Sequence, residues 1–496
     1  MICISIAQES RRLALADMLN AARQCDLLEI RLDRFDKAPD IGELLAHKPK
    51  PVILSCRRQQ DGGNWQGTEE ERLALLRQCI VSKADYVEIE IDVADQIREF
   101  PPAKRVISYT NWRETPSDIG EIYAEARTKK PDVIKLMTLA RSPEEAWPLL
   151  QILGKPALPT VAVGVGKPGI MLTVLGKKIG APWTYAALEK GMEAYPGQPT
   201  VNDLQQIYHY GAIGHATRLV GVTGFALRDV ASTCALNAGL AHLGLDKRCL
   251  PLGVGSIGLF RKIMDAVKVA GVVVGEEHRE LVMGIATELD PGAEEAQAAD
   301  LLVREQKIWH AYNTAGKAAI AALEAEIGKE KTAGQPLTGR MVMIVGVNAA
   351  ARTVAAEIKK RRGIVIIASH QRDKAQALAQ ALESRHVQFE ALYTTMHEIL
   401  IVCDEEKEHS KSKPRSGEGS IHAAYLRPGM TVMDLTAANQ SSLLREAQTR
   451  GCHVISPRQV LREQLAAQLY HLTGHQVPVE VLDRPLLDML EEDNGS

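Results

Sequence analysis

Through its first two hundred residues the chain alternates short apolar runs with amphipathic stretches. The runs are MICISI (1–6), LLEIRLD (27–33), PVILSC (51–56), YVEIEID (86–92), RVISYT (105–110), DVIKLM (132–137), TVAVGVG (160–166) and WTYAAL (183–188). Helix-like segments such as TEEERLALLRQCIVSKA, IGEIYAEARTKK and SPEEAWPLLQIL lie between them. Eight strand candidates separated by helices predict a parallel (β/α)8 barrel; an open doubly wound sheet has the same periodicity and is the alternative. After YHYGAIGHATR (208–218) a second series opens with LVGVTGF and continues to about residue 330. A third unit, GRMVMIVGVNAAARTVAAEIKKRRGIVIIASHQRDKAQALAQAL (339–382), has the strand–turn–helix–strand–turn–helix signature of a Rossmann half. The polar run EEKEHSKSKPRSGEGS (405–420) predicts a surface loop, and the apolar helix VLREQLAAQLYHLTG is expected to fold back across the preceding domain. The expected division is a barrel at 1–210, a second domain at 218–330, a Rossmann-like domain at 331–460 and C-terminal helices at 461–496.

Composition narrows the function classes. The 496 residues suit about three domains at roughly 150 residues each. Fifty-nine basic and 62 acidic side chains give a net charge of −3, without the basic excess that phosphate-backbone binding needs, and 4% aromatics leave little to stack on bases. Nucleic acid is therefore not an expected partner. No stretch approaches the roughly 18 apolar residues of a membrane span, so no membrane association is expected. Eight scattered cysteines without CxxC spacing suggest neither a disulfide framework nor a metal site. A soluble, cytoplasmic, enzyme-like protein is the expectation.

In a barrel, charges that end apolar strand runs face the site. Glu29, Arg31, Arg57 and Lys135 qualify. A desolvated lysine offers a neutral amine for imine formation; the alternative is a lysine snorkelling out of the rim.

LLEIRLD, SCRRQQDGG, SYTNWRETP, DVIKLM, GKKIGAPWTYAAL and YPGQPT occur in the order and spacing of type I 3-dehydroquinate dehydratases, and residues 1–205 resemble that family. The resemblance implies a barrel that forms a Schiff base between a lysine and a substrate ketone, with a histidine moving protons. Lys135 matches the Schiff-base lysine, and Glu29, Arg31, Arg57 and Gln198 match substrate-holding or site-ordering positions. Thr110 stands where the family has its histidine, Asp61 replaces a glutamate, Thr173 a substrate-clamping arginine and Ala194 a loop serine. A threonine hydroxyl is no proton acceptor near neutral pH. His209 and His215 lie past the barrel strands, and Tyr109 should point to the opposite side of its strand from Thr110.

Residues 218–485 resemble shikimate dehydrogenases, which the shikimate pathway fuses to the dehydratase in one chain. The frames are GVTGFALRDVASTCALNAG, VREQKIWHAYNTAGKAA, the Rossmann turn and LREQLAAQLYHLTG. Ser232, Asn237, Asn313, Thr314 and Gln464 keep family letters at substrate-binding positions, while Val230 replaces a serine. The resemblance implies a lysine–aspartate pair for proton donation, and here those positions hold Arg279 and Ala315. It also implies NADP. The cofactor positions are Gly346, Asn348 and Ala349 in GVNAAAR, Arg352 at the helix start, and His370 where an arginine would meet the 2′-phosphate. Asn348 and Ala349 stand in place of glycines, so a Rossmann scaffold kept for packing is set against NADP binding.

By resemblance, then, the chain is a shikimate-pathway bifunctional protein whose dehydrogenase site is expected to be inactive and whose dehydratase site is expected to be impaired. A non-catalytic ligand-binding or interaction scaffold and a repurposed imine-forming enzyme are the alternatives. The expected ligand is a small hydroxylated cyclic carboxylate, and a homodimer is the inherited expectation. No metal is implied.

Overall fold

The structure, a computed structural model, describes residues 1–328, 335–404, 421–436 and 441–491. The polar run 405–420, read above as a surface loop, lies outside the described residues. The chain divides into two compact units, Met1–Leu219 with Asp246–Lys268, and Val220–Leu245 with Val269–Ser496.

All eight apolar runs of the first unit are parallel strands. They are β1 (Ile2–Ile6), β2 (Leu27–Arg31), β3 (Val52–Ser55), β4 (Tyr86–Glu90), β5 (Lys104–Asn111), β6 (Val133–Leu139), β7 (Thr160–Val165) and β8 (Thr184–Ala186). They wrap in the order β8-β1-β2-β3-β4-β5-β6-β7, a nearly closed barrel. The doubly wound alternative is set aside by this order, in which each of β2 to β7 neighbours its predecessor and β8 pairs with β1. Successive side chains on a strand alternate between faces. Cys3, Leu27, Ile53, Val106, Val133, Val161 and Tyr185 therefore gather into one interior cluster. Two residues further along the same strands, Ser5, Glu29, Ser55, Ser108 and Lys135 follow them on that face, so an apolar floor lies beneath a polar layer. Helix starts are well specified: Thr68 and Glu71 form a capping box ahead of Glu69–Val81, and Ser142 caps Pro143–Gly154.

Asp246–Lys268 belongs to this unit and contains β10 (Lys247–Leu252) and the helix Ile257–Ala266. It is tied in by Thr217 Oγ1, which donates to Asp246 at 2.7 Å, and by Ser256 N–H, which donates to Glu144 at 2.8 Å.

The second unit holds β9 (Arg218–Thr223, mostly in this unit), β11 (Val269–Val273), β12 (Glu288–Leu289), β13 (Leu301–Glu305) and β14 (Ile308–Tyr312), running in the order β9-β11-β13-β14-β12. Its other sheet is parallel: β15 (Met341–Val345), β16 (Ile364–Ser369), β17 (Arg385–Gln388), β18 (Ile399–Val402), β19 (Thr431–Asp434) and β20 (His453–Ile455). The order β17-β16-β15-β18-β19-β20 is the doubly wound Rossmann order. One face of this sheet packs on the helices Ala315–Ile327 and Ala349–Lys360, the other on Ser442–Thr449. The helices Pro457–Thr473 and Val479–Glu491 pack on Leu227–His242. Among the described residues no helix is long and apolar enough to cross a membrane.

Candidate functional site

Lys135 sits in the middle of β6 with its side chain inside the barrel, 1% exposed. Its Nζ donates to Glu88 Oε2 at 2.8 Å, lies 3.5 Å from Glu29 Oε1, and rests over the Tyr185 ring at 4.4 Å. Arg57 completes the group: it is paired with Glu29 and lies 3.4 Å from Glu88. Ser5 Oγ donates to Glu29 at 2.5 Å. Two buried cations thus face two buried carboxylates, and the layer is neutral as a whole. Burial alone would raise the Glu29 carboxyl, but Arg57, Lys135 and Arg31 outweigh it and hold it well below the usual carboxylate range. Burial, and then the Glu29 charge, push the Tyr185 phenol well above its ordinary value, so it keeps its proton.

The other barrel candidates are placed as follows. Arg31 does not reach into the polar layer; its fork closes on Asp33 at 2.9 and 2.8 Å. Asp33 in turn accepts from the backbone N–H of Arg57 at 3.2 Å and of Asn64 at 2.9 Å, so Arg31 orders the loop that carries Arg57. That loop turns tightly at Gly62 and Gly63. A Cβ on Gly63 would lie 2.0 Å from the Arg57 carbonyl oxygen, which leaves room for glycine alone. Asp61 is occupied by Arg58 Nε at 2.6 Å, and burial raises its carboxyl. Gln198 accepts the Ala194 N–H at 2.6 Å, while its buried Nε2 has no partner among the described residues. Thr173 is buried in the helix Ile170–Ile179. On β5, Ser108 stands in register with Lys135 and Thr110 with Met137, so Thr110 is one layer nearer the strand's carboxyl end than the lysine. His215 Nδ1 lies 2.7 Å from the Lys178 carbonyl, and His209 stands in the segment after the barrel strands.

The family model of the type I 3-dehydroquinases matches residues 2–214. A 3-dehydroquinate dehydratase of Methanococcus maripaludis is 30% identical over 220 residues, which span 42% of this chain and 98% of that one. The chain belongs to the type I 3-dehydroquinase family. A bifunctional 3-dehydroquinate dehydratase/shikimate dehydrogenase of Arabidopsis thaliana, described as chloroplastic, is 25% identical over 476 residues, 92% of this chain and 79% of its own. The similarity to that relative runs along nearly the whole of this dehydroquinase-family chain. A solved shikimate dehydrogenase in complex with NADP+ shares 25% identity over 56% of this chain and 97% of its own, with a TM-score of 0.49.

In the second unit of this dehydroquinase-family chain, Gln464 donates to the buried Asp300 at 2.8 Å and accepts from Arg228 at 3.3 Å. Asp300 also takes the Thr314 N–H at 2.9 Å and its hydroxyl at 2.9 Å. Asn313 donates to the Ala298 carbonyl at 2.9 Å, and Ser232 turns back onto the Arg228 carbonyl at 2.7 Å. Asn237 is fully buried. Arg279 and Ala315 line one cleft together with Arg228, Glu276 and Gln464.

The residues at the nucleotide turn do not fit a dinucleotide. Asn348 uses its side chain to cap the helix Ala349–Lys360 at Ala351 N–H (3.0 Å) and to donate to the Cys403 carbonyl at 2.6 Å. A nucleotide phosphate needs that approach left open by glycine. Gly346, at φ 110°, is required by Asp404, which a Cβ would meet at 2.6 Å. Arg352 donates to the Ala296 carbonyl at 2.9 and 3.2 Å. His370 stacks on Phe389 with its Nδ1 3.8 Å from Glu390, a carboxylate where a 2′-phosphate would need a cation.

Sequence reasoning missed Glu88, Tyr185 and Arg228. The signal for Glu88 was in YVEIEID, whose alternation puts a carboxylate on the interior face as plainly as LLEIRLD does. Arg228 stood in GFALRDVAS, one turn ahead of Ser232.

Proposed function

We propose that the barrel captures a small hydroxylated cyclic keto acid of the 3-dehydroquinate type as an imine on Lys135, and that its later proton transfers are impaired. The observation that carries this is Lys135 held between Glu88 and Glu29 while Thr110 occupies the next layer above it. Lys135 passes a proton along the 2.8 Å hydrogen bond to Glu88, and the free amine attacks the ketone carbon. The carbonyl oxygen leaves as water, taking one proton from the amine nitrogen and the one lent to Glu88, and an iminium remains, whose charge Glu29 and the re-ionised Glu88 balance. Abstraction of the neighbouring C–H proton then lacks the base that the family relatives supply, and Thr110 does not replace it.

The dehydrogenase half, in the same reading, no longer transfers hydride. The Arg279 guanidinium stabilises charge without readily shuttling a proton, and Ala315 offers no acid to pair with it. The closed nucleotide turn supports a Rossmann domain retained for packing, without NADP. The boundaries proposed for these roles are those read from the sequence. All eight cysteines are buried, and none is joined in a disulfide among the described residues, which supports a reducing, cytoplasmic setting, and a homodimer is part of the proposal.

Borohydride reduction after mixing with 3-dehydroquinate, read by intact mass and peptide mapping, tests the proposal. A stable adduct on Lys135, absent from Lys135→Ala, is expected. Folded protein without an adduct would remove the dehydratase reading and leave a non-catalytic scaffold or an imine-forming enzyme for another carbonyl.

A further inference from the structure

The layer around Lys135 already balances its own charge, and that limits what it can receive. Lys135 and Arg57 face Glu29 and Glu88, two cations against two carboxylates. Three further guanidinium groups of the barrel are committed: Arg31 to Asp33, Arg58 to Asp61 and Asp92, and Arg72 to Glu69 and Glu90. Arg113, Arg141 and Lys167, which follow β5, β6 and β7, are exposed to water. When an imine forms, iminium replaces ammonium and the layer stays neutral. A ligand carboxylate carried in beside it leaves one buried negative charge without a buried cation of its own, a costly state.

The closing turn of the barrel offers uncharged groups instead. Gln198 N–H donates to the Tyr195 carbonyl at 3.2 Å, with Pro196 and Gly197 (φ 82°) between them, the proline–glycine order of a type II turn. Gly166 N–H, just past β7, donates to the Pro196 carbonyl at 2.7 Å and fixes the turn there. The first and last residues of the turn are both buried, and Tyr195 packs in the interior cluster with Tyr185. Tyr195 Oη and Gln198 Nε2 have no hydrogen-bond partner among the described residues, nor do Tyr185 Oη and Ser55 Oγ. The Tyr195 phenol lies by Thr173 without completing a hydrogen bond to it. Burial, and then the Glu29 charge, raise that phenol well above its ordinary value, so it stays protonated and uncharged. Buried polar groups ordinarily find partners, and ring hydroxyls, which both donate and accept, supply them without adding charge.

We infer that the barrel takes uncharged hydroxylated cyclic ketones at least as readily as the keto acid, and that the Tyr195 hydroxyl selects them by bonding a ring hydroxyl. The inference rests on the imine-forming reading of Lys135 and widens its substrate class. The bond changes are those already described: the ketone carbon bonds to the lysine nitrogen and the ketone oxygen leaves as water.

The test is trapping of the full chain with cyanoborohydride, read as the ketone concentration that half-saturates the Lys135 adduct. Each ketone is corrected for its reactivity toward Nα-acetyllysine. The probes are 3-dehydroquinate, its carboxylate-free analogue 2,3,5-trihydroxycyclohexanone, and cyclohexanone. The trihydroxy ketone is expected to half-saturate at no higher concentration than 3-dehydroquinate. Tyr195→Phe keeps the ring and removes a hydroxyl that has no partner, so it should melt at the parent's temperature or above. It is expected to weaken capture of the trihydroxy ketone about three- to tenfold and to leave cyclohexanone unchanged, whereas loss of mere packing would shift both alike. A trihydroxy ketone that needs a higher concentration than 3-dehydroquinate, or equal effects of Tyr195→Phe on the two uncharged ketones, overturns the inference. Adducts from the trihydroxy ketone without one from 3-dehydroquinate would support it and overturn the keto-acid reading, and no adduct from any probe would overturn both.

Discussion

Replacing Glu88 by glutamine probes the charge layer around Lys135 most directly. The four side chains Arg57, Glu29, Glu88 and Lys135 are each 6% exposed or less, and their charges cancel. Glutamine keeps the shape and an acceptor for Lys135 but leaves one buried positive charge in excess. At an effective dielectric of about 20, one ion pair at 2.8 Å is worth about 6 kcal/mol of Coulomb attraction, part of which is offset because the carboxylate no longer has to be desolvated. Breaking buried pairs typically costs about 3–5 kcal/mol, and the retained hydrogen bond places this case near about 3. With a urea slope of about 2–3 kcal/mol/M, the unfolding midpoint of the barrel should fall by about 1–1.5 M. Four of the five tryptophans, Trp65, Trp112, Trp147 and Trp183, lie in the barrel, so fluorescence follows that transition. Adding Lys135→Met restores neutrality and should recover about 2 kcal/mol relative to the sum of the single variants. Costs that simply add, to within about 0.5 kcal/mol, would refute the picture of a compensated buried cluster.

Other expectations follow from the same geometry. Glu29 is held well below its ordinary value of 4.5, so its contribution is complete above that pH and is lost as pH falls toward the folded value; urea midpoints of the barrel should drop on acidification, and Glu29→Gln should flatten that dependence. Gly63→Ala forces a Cβ against the Arg57 carbonyl and should destabilise the barrel by at least about 2 kcal/mol, with loss of the Lys135 adduct in folded protein; a variant that melts and reacts as the parent contradicts the tight turn. Thr110→His returns a proton acceptor one layer above Lys135 and should raise dehydration of 3-dehydroquinate by on the order of 10²-fold, measured by enone absorbance; no gain would place the defect elsewhere, Thr173 first. Arg352→Ala should lower stability by about 1–3 kcal/mol through the orphaned Ala296 carbonyl, without change in the retention of the chain on an NADP+ affinity matrix.

The fold was largely legible because both periodicities were clean. All eight apolar runs are barrel strands, and the GRMVMIVG run became the central strand of the parallel sheet. The site was legible where a charge interrupts an apolar run, as at Glu29 and Lys135. What escaped were roles that depend on who stands opposite. Nothing in LLEIRLD tells that Arg31 is spent on Asp33 while Glu29 reaches Arg57 and Lys135, because partner choice is fixed by side-chain length and loop path. Similarly, Asn348 reads as a tolerable glycine substitute, and only the position of the Cys403 carbonyl shows its amide closing the turn. Family frames located Arg279 and Ala315, but not Arg228, whose meaning comes from the neighbour it acquires in space.

The return of Asp246–Lys268 to the first unit bears on how the protein is made. A ribosome releasing residues in order delivers the barrel's eight strands first, then passes into the second unit before the strand and helix that complete the first unit emerge. The nascent barrel must therefore wait, with the surface around Pro143 and Glu144 uncovered, while a piece of its successor is synthesised. No single cut of the chain yields both units whole. A fragment ending near residue 219 lacks its last layer, and one beginning there carries a strand and a helix that belong to the other unit. Two enzymes joined end to end could be separated again by a protease; two units that share a thread in this way are inherited, expressed and degraded together.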